Sequence, residues 1–200
     1  MSIVHQGMSS QWSDEAEFTT PEFKECCVWK ECPDYVDKYS KYSVDEGNPR
    51  IATKIGDDCT IIGNIALPPN TVTSWSIKIL KSRENDGSGI FIGVPPSDID
   101  QNGGGNYMKC GWYFDCHCSA LWSGLPHNYK WKKYGPRKGD GEYVHTGDSV
   151  GIVMDTAKGE LSFVLDGVNL GVAYEGIPLD KPLVPCVLLC HEGDSVELVI

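Results

Sequence analysis

The chain has 200 residues, of which 40% are apolar and 10% aromatic, with 22 glycines and 12 prolines. This is enough chain to bury a core without disulfides or a metal, and the many turn-forming residues favour β structure over long helices. A net charge of −11 argues against nucleic acid and anionic membranes as partners, because the surface field repels phosphate groups.

Residues 1–20 are polar and lack periodicity, so we expect a flexible leader followed by a single domain at 21–200. No basic segment precedes an apolar run at the N-terminus, and no window approaches the roughly 18 apolar residues of a membrane helix. We therefore expect a cytoplasmic monomer. Nine cysteines, an odd number, fit reduced and buried thiols better than a disulfide framework.

The first two thirds of the chain predict short strands. Residues 26–69 lean towards β structure but are interrupted by prolines. Apolar and polar residues alternate over Val72–Leu80, the pattern of a strand with one buried face. A turn at 84–88 leads to the apolar run Gly89–Val94, and the simple interpretation is a hairpin.

The C-terminal third predicts an antiparallel meander. Alternating apolar residues at 150–154, 161–165 and 170–174 are separated by short turns, and two more strands follow near 184–189 and 196–200. Many short strands with almost no helix are typical of a sandwich of two sheets.

The tetrapeptide Gly-Asp-Ser-Val occurs at 147–150 and again at 193–196, each time just before an apolar strand. Its first interpretation is a turn. A hydrolase nucleophile is the alternative, but the parallel α/β pattern that such a serine requires is missing from the sequence.

Six blocks, in order and spacing, resemble the SPRY domain family. They are Trp75–Leu80, Cys110–Asp115, Gly147–Asp155, Gly159–Gly167, Asn169–Tyr174 and Pro182–Pro185. The resemblance implies an all-β fold, a bent antiparallel β-sandwich of two sheets with little helix. It also implies a non-catalytic interaction module that binds a peptide or protein partner through loops at one end of the sandwich.

The resemblance further implies where a partner would bind. Trp122 falls where relatives place a partner-contacting aromatic residue, with Ser123 beside it. The loop Cys190-His191-Glu192 lies where relatives carry contact residues, and Arg50 lies near where some of them use an arginine. Two alternatives stay open: Trp122 as a packing residue, and His191 as an ordinary surface histidine.

The segment Lys109–Cys118 contains three cysteines and one histidine, and thiolate and imidazole are the usual zinc ligands. On a strand, however, Cys116 and Cys118 would share one face and His117 the other, so these ligands would not surround one ion. No Cys-x-x-Cys pair occurs in the chain. We expect packing cysteines, with no metal, no cofactor and no catalytic residue.

Two other functions remain as alternatives. The Asp98–Asn106 loop opens like a calcium loop, although Lys109 occupies the position that needs a bidentate glutamate, so a small ligand, sugar or ion is the second hypothesis. The third is the substrate-recognition part of a ubiquitin ligase assembly, which would need other domains or subunits because RING-type cysteine pairs are missing from the sequence.

Overall fold

The computed structural model describes residues 21–32, 41–56, 59–83, 89–99, 101, 111–123, 132–134 and 144–200. These ranges contain one short helix, α1 (Pro21–Cys26), and thirteen strands. The strands are β1 (Tyr42–Val44), β2 (Ile51–Lys54), β3 (Cys59–Ile62), β4 (Val72–Lys81), β5 (Ile90–Val94), β6 (Trp112–Asp115), β7 (Ala120–Ser123), β8 (Lys132–Lys133), β9 (Ser149–Asp155), β10 (Glu160–Leu165), β11 (Val168–Tyr174), β12 (Cys186–Leu189) and β13 (Ser195–Val199). Within the same ranges, no helix is long and apolar enough to cross a membrane.

The strands form two antiparallel sheets. The seven-stranded sheet has the order β1-β2-β13-β4-β9-β10-β11, and the six-stranded sheet has the order β3-β12-β5-β6-β7-β8. The main core contains residues of both sheets, such as Ile77 and Val150 from the first and Ile92 and Phe114 from the second. The predicted all-β sandwich with little helix is therefore confirmed.

Strand alternation explains the position of the core. In β4 the side chains of Trp75, Ile77 and Ile79 are at most 4% exposed, while their neighbours face outwards. The predicted meander is also confirmed, because β9, β10 and β11 are consecutive neighbours in one sheet. The extent of the domain, 21–200, stays a prediction.

The predicted hairpin between β4 and β5 is wrong, because the two strands belong to different sheets. All five residues of β5 are buried, and this strand pairs with β12 and β6. A strand that is apolar on both faces is stable only in the middle of a covered sheet. The chain therefore crosses between the two layers after β4.

Tyrosine hydroxyls from the two edge strands of the seven-stranded sheet reach the other layer. On one side the Tyr42 hydroxyl donates to the Lys30 carbonyl at 3.1 Å, beside the segment that extends β3 through a Trp29–Gly63 bridge. On the other side the Tyr174 hydroxyl of β11 donates to the Tyr113 carbonyl of β6 at 2.8 Å. Burial raises the pKa of Tyr174, so this hydroxyl keeps its proton and the link persists.

Candidate functional site

A second apolar cluster lies on the face of the six-stranded sheet that points away from the main core, and we call it the outer cluster. Its side chains are at most 8% exposed. Its members are Ile62, Phe91, Tyr113, Val184, Cys186 and Leu188. The register explains the grouping, because Gly93 lies opposite Cys186 on one side and Tyr113 on the other. Partly buried residues at its border are Ala66, Ile99, Trp122 and Cys190.

Trp122 is half-buried at the border of the outer cluster. In β7 the alternation sends Leu121 into the main core and Trp122 to the opposite face. The indole Nε1 donates to Asp115 Oδ2 at 3.2 Å, and the ring meets Phe91 edge-to-face with centroids 6.3 Å apart. The indole is thus held in one orientation while part of it stays accessible.

Asp115 organises the end of β6 and was missed by the sequence reasoning. Asp115 is only 7% exposed. Its Oδ1 accepts hydrogen bonds from the backbone N–H groups of His117 and Cys118 at 2.9 and 3.4 Å. Oδ2 accepts from the Cys118 thiol at 3.0 Å as well as from Trp122. An aspartate at the end of a strand, followed by a turn, was the available signal.

The 190–193 turn adjoins the outer cluster at the end of β12. Cys190 donates its backbone N–H to the Gly89 carbonyl at 3.0 Å. A Cβ at Gly89, whose φ is +74°, would lie 2.8 Å from Cys190 Cβ and 3.0 Å from His191 Nε2. The turn therefore packs directly on Gly89, the residue before β5. In the turn, His191 is half-buried and Glu192 is exposed.

The structure places two of the predicted partner-binding elements around one cluster. Trp122 and Cys190 both border the outer cluster, with Phe91 contacting the Trp122 ring. Ser123 does not share this face, since it lies opposite Trp112, whose side chain is in the main core. Sequence alternation in β7 predicts this separation of neighbours.

Arg50 lies elsewhere in the fold. Its guanidinium donates to the carbonyls of Lys24 at 2.7 Å, Glu25 at 3.5 Å and Cys27 at 3.2 Å, so it caps the end of α1. Arg50 precedes β2, whereas the 190–193 turn contacts Lys54 at the other end, about 13 Å further along the strand. A role for Arg50 in partner binding stays a prediction, and its observed contacts are with the helix.

We expect Arg50→Met to lower the free energy of unfolding by about 2 kcal/mol, because hydrogen bonds from a charged donor to three carbonyls are lost. Urea denaturation measures this change. Arg83→Met is the matched control, since Arg83 is an exposed arginine just beyond the end of β4, and it should change stability by less than about 0.5 kcal/mol. Equal effects of the two substitutions would contradict the capping role.

The cysteines have separate environments. The segment after Asp115 is a turn rather than a strand, so the predicted sharing of one face by Cys116 and Cys118 does not apply. Cys116 is fully buried in the main core, and burial raises the pKa of its thiol. Burial likewise raises the pKa of Cys27 to about 11. In the described ranges, no group of three or more histidine, cysteine or acidic side chains is placed to hold a metal ion, and Cys110 lies outside them.

The Asp98–Asn106 loop is described only at Asp98, Ile99 and Gln101. The Asp98 carboxylate accepts from Lys181 Nζ at 2.8 Å, and this hydrogen bond lowers its pKa. Gln101 Nε2 donates to the Thr60 carbonyl at 3.0 Å. Asp100 and Asn102, which the ion hypothesis also needs, lie outside the described residues, so that hypothesis stays a prediction.

The same architecture occurs in known proteins, and the family model for the SPRY domain matches residues 72–200. The chain belongs to the SPRY domain family. SPRY domains generally mediate protein–protein interactions. No curated protein sequence matches the chain.

Solved SPRY structures share the fold at low sequence identity. The SPRY domain of human HERC1 matches with a TM-score of 0.61 and 18% identity, over 79% of this chain and 91% of that one. The TRIM65 PSpry domain matches with a TM-score of 0.57 and 11% identity, over 87% and 92% of the two chains. A human SPRY domain matches with a TM-score of 0.57 and 15% identity, over 80% and 94%. These likenesses establish the SPRY fold.

Proposed function

We propose that this SPRY domain is a non-catalytic module that binds a peptide segment of a partner protein at the border of the outer cluster. We call this border the Trp122 surface and define it by Trp122, Phe91, Cys190 and the 190–193 turn. The observation that carries the proposal is the held, half-accessible indole of Trp122 beside a fully buried apolar cluster.

In such an arrangement, Trp122 can bind an apolar side chain of the partner. Binding costs less conformational entropy when the aromatic contact residue is already ordered, and Trp122 is ordered by Asp115 and Phe91. The cluster beneath it is closely packed, so a partner side chain would rest on a rigid floor. Around this apolar centre, His191 and Glu192 supply polar groups of the kind found at interface rims.

The carboxylate at this surface has a structural role. Both oxygens of Asp115 accept hydrogen bonds, two from backbone N–H groups and two from side chains. A general base needs an oxygen free to accept a substrate proton. The commitment of Asp115 to its own turn and to Trp122 supports a binding function over catalysis.

Selection from a random twelve-residue peptide library tests the proposal. Peptides that the wild-type domain retains should bind Trp122→Ala at least ~10-fold more weakly, and the Trp122→Ala/His191→Ala double variant should lose binding. Val172→Ala is the matched control, because Val172 is an exposed apolar residue, 45% accessible, on β11 of the other sheet. We expect this control to bind as the wild type does.

Thermal unfolding of the same variants separates binding from folding. The midpoint of Trp122→Ala should stay within about 6 °C of the wild type, since the side chain is only half-buried. Unchanged peptide affinity in the folded double variant would place the interface elsewhere and overturn the proposal. A role in a ubiquitin ligase assembly stays a prediction that needs the partner's identity.

A further inference from the structure

The two Gly-Asp-Ser-Val segments are parts of one longer repeat with one structure. Both read His-x-Gly-Asp-Ser-Val, beginning at His145 and His191. In the first copy the Asp148 carboxylate accepts from the His145 N–H at 2.8 Å, and the Asp148 N–H donates to the His145 carbonyl at 3.0 Å. In the second copy Asp194 and His191 repeat these two bonds at 3.3 and 3.1 Å.

Each turn is also attached to a neighbouring strand in the same way. Gly147 N–H donates to the Ile79 carbonyl, and Ile79 N–H donates to the Asp148 carbonyl. In the second copy Lys54 takes the place of Ile79, donating to the Asp194 carbonyl and accepting from Gly193. The pair β2 and β13 thus repeats the pair β4 and β9, and Lys54 is the counterpart of a core isoleucine.

The copies differ in how deeply the aspartate is buried. Asp148 is half-buried, whereas Asp194 is 0% exposed. The second carboxylate oxygen of Asp194, Oδ1, accepts from the Arg83 N–H at 2.9 Å, just beyond the end of β4. Asp194 therefore connects the 190–193 turn to the exit of β4, and it does so with a charge removed from water.

A cation stabilises a fully buried carboxylate, and the second copy has a lysine where the first has an apolar residue. Lys54 is 1% exposed at the position where the other copy has Ile79, itself 0% exposed. The half-buried Asp148 is partly accessible to water, and its copy has an apolar residue at this position. The lysine and the buried aspartate occur together in one copy, and neither occurs in the other.

We infer that Asp194 is a positioning residue that fixes the 190–193 turn against the end of β4, and that Lys54 stabilises its ionised carboxylate. The inference rests on the proposed function in one respect, the assignment of this turn to the Trp122 surface. Two charged groups act on the Asp194 carboxyl, Lys54 from β2 and His191 from the turn. The other charged residues of the neighbouring segments are Glu192 and Arg83, which are exposed, and Lys81, whose Nζ lies near Gly193.

Burial raises the pKa of the Asp194 carboxyl, while the hydrogen bonds from Arg83 and His191 and the charges of His191 and Lys54 oppose that shift. Because the folded-state pKa lies above the unfolded value, protonation of Asp194 stabilises the fold at low pH. That contribution is lost as the pH rises through the raised pKa. Replacing Lys54 removes an opposing charge and moves the loss to higher pH.

Amide hydrogen exchange measured by NMR tests the inference without any partner. An asparagine at 194 places an NH₂ group against an N–H donor in either side-chain orientation, because both carboxylate oxygens accept. Asp194→Asn should therefore speed exchange at the Arg83 and His191 amides by at least ~10-fold. Asp148→Asn, the matched control, should leave both amides unchanged. Equal exchange at these amides in the two variants would overturn the inference.

Lys54→Ile supplies a second variant, because it copies the other repeat. It also removes the hydrogen bond from Lys54 Nζ to the Gly56 carbonyl, and that loss is the same at every pH at which the lysine is charged. Its thermal midpoint should fall further below the wild type at pH 8 than at pH 5, and Lys54→Ile/Asp194→Asn should lose that pH dependence. If the midpoint of Lys54→Ile falls below the wild type by the same amount at pH 8 and pH 5, the role of Lys54 is overturned. This test holds even if Asp194→Asn does not fold.

The selected library peptides distinguish this inference from the proposed function. Loss of peptide binding in Trp122→Ala but not in Asp194→Asn would leave the proposed function standing and overturn the positioning role. Retained binding in the folded Trp122→Ala/His191→Ala variant would overturn the proposed function, while the exchange rates would still decide the role of Asp194.

Discussion

Asp115→Asn is expected to release the Trp122 indole from its present orientation and to lower the free energy of unfolding by about 2 kcal/mol. The carboxylate accepts backbone N–H groups through Oδ1 and the Trp122 Nε1–H and the Cys118 thiol through Oδ2. An asparagine has only one acceptor oxygen. Whichever way its amide is turned, the NH₂ group faces a donor in a site that is 7% exposed.

Urea denaturation measures the loss of stability, and the indole N–H resonance of Trp122 reports its hydrogen bond. Asp155→Asn is the matched control, since Asp155 is also the last residue of a strand and accepts from the N–H groups of Ala157 and Lys158 at 2.9 and 3.1 Å. Its Oδ2 pairs with the exposed ammonium of Lys158 at 3.2 Å rather than with a buried indole, so we expect less than about 1 kcal/mol. An unshifted Trp122 resonance in Asp115→Asn would contradict the role given to Asp115.

Gly93→Ala is expected to lower the free energy of unfolding by about 3 kcal/mol and the thermal midpoint by about 6–12 °C. Gly93 lies on the outer face of β5 between Cys186 and Tyr113. A Cβ there would lie 2.0 Å from the Trp112 carbonyl oxygen and 2.8 Å from Tyr113 Cδ1. Since the first of these atoms is backbone, β5 and β6 must separate to admit the methyl group.

The same substitution should weaken peptide binding, because the Tyr113 ring belongs to the outer cluster beneath the Trp122 surface. Differential scanning calorimetry gives the midpoint. Gly47→Ala is the control, because Gly47 is exposed. The atom nearest to a Cβ added there belongs to the Asp45 side chain and is 3.3 Å away. A Gly93→Ala midpoint equal to that of this control would mean that the two strands adapt without cost.

Several features of the fold were predictable because they depend on local periodicity. Alternation marked β4 and the β9–β11 meander, and the Gly-Asp-Ser-Val segments were correctly interpreted as turns. Each of these features needs only a strand and its immediate neighbours. The predicted β4–β5 hairpin is wrong because the continuous apolar run of β5 indicates a strand but does not indicate which strand pairs with it.

The candidate site was predictable at the level of residue positions and not of contacts. Trp122 and the 190–193 loop were predicted through the resemblance, and the structure places Trp122 and Cys190 at the border of the outer cluster. Their role in partner binding stays a prediction. Asp115 was missed because a strand-end aspartate looks like any turn residue until its second oxygen meets an indole seven residues later. Arg50 was assigned by position alone, and its observed hydrogen bonds are with α1.

The sequence by itself determined the all-β class and the strand-and-turn order of the C-terminal third, because alternation and turn chemistry depend on adjacent residues. The family followed from the resemblance of six sequence blocks. Only the tertiary structure decided which strands share a sheet, that the six-stranded sheet is apolar on both faces, and that the buried Lys54 and Asp194 are backbone hydrogen-bonding partners. These facts depend on pairings between residues far apart in the chain. The backbone hydrogen bond between Lys54 and Asp194 joins residues 140 positions apart, so the local sequence around either residue cannot predict it.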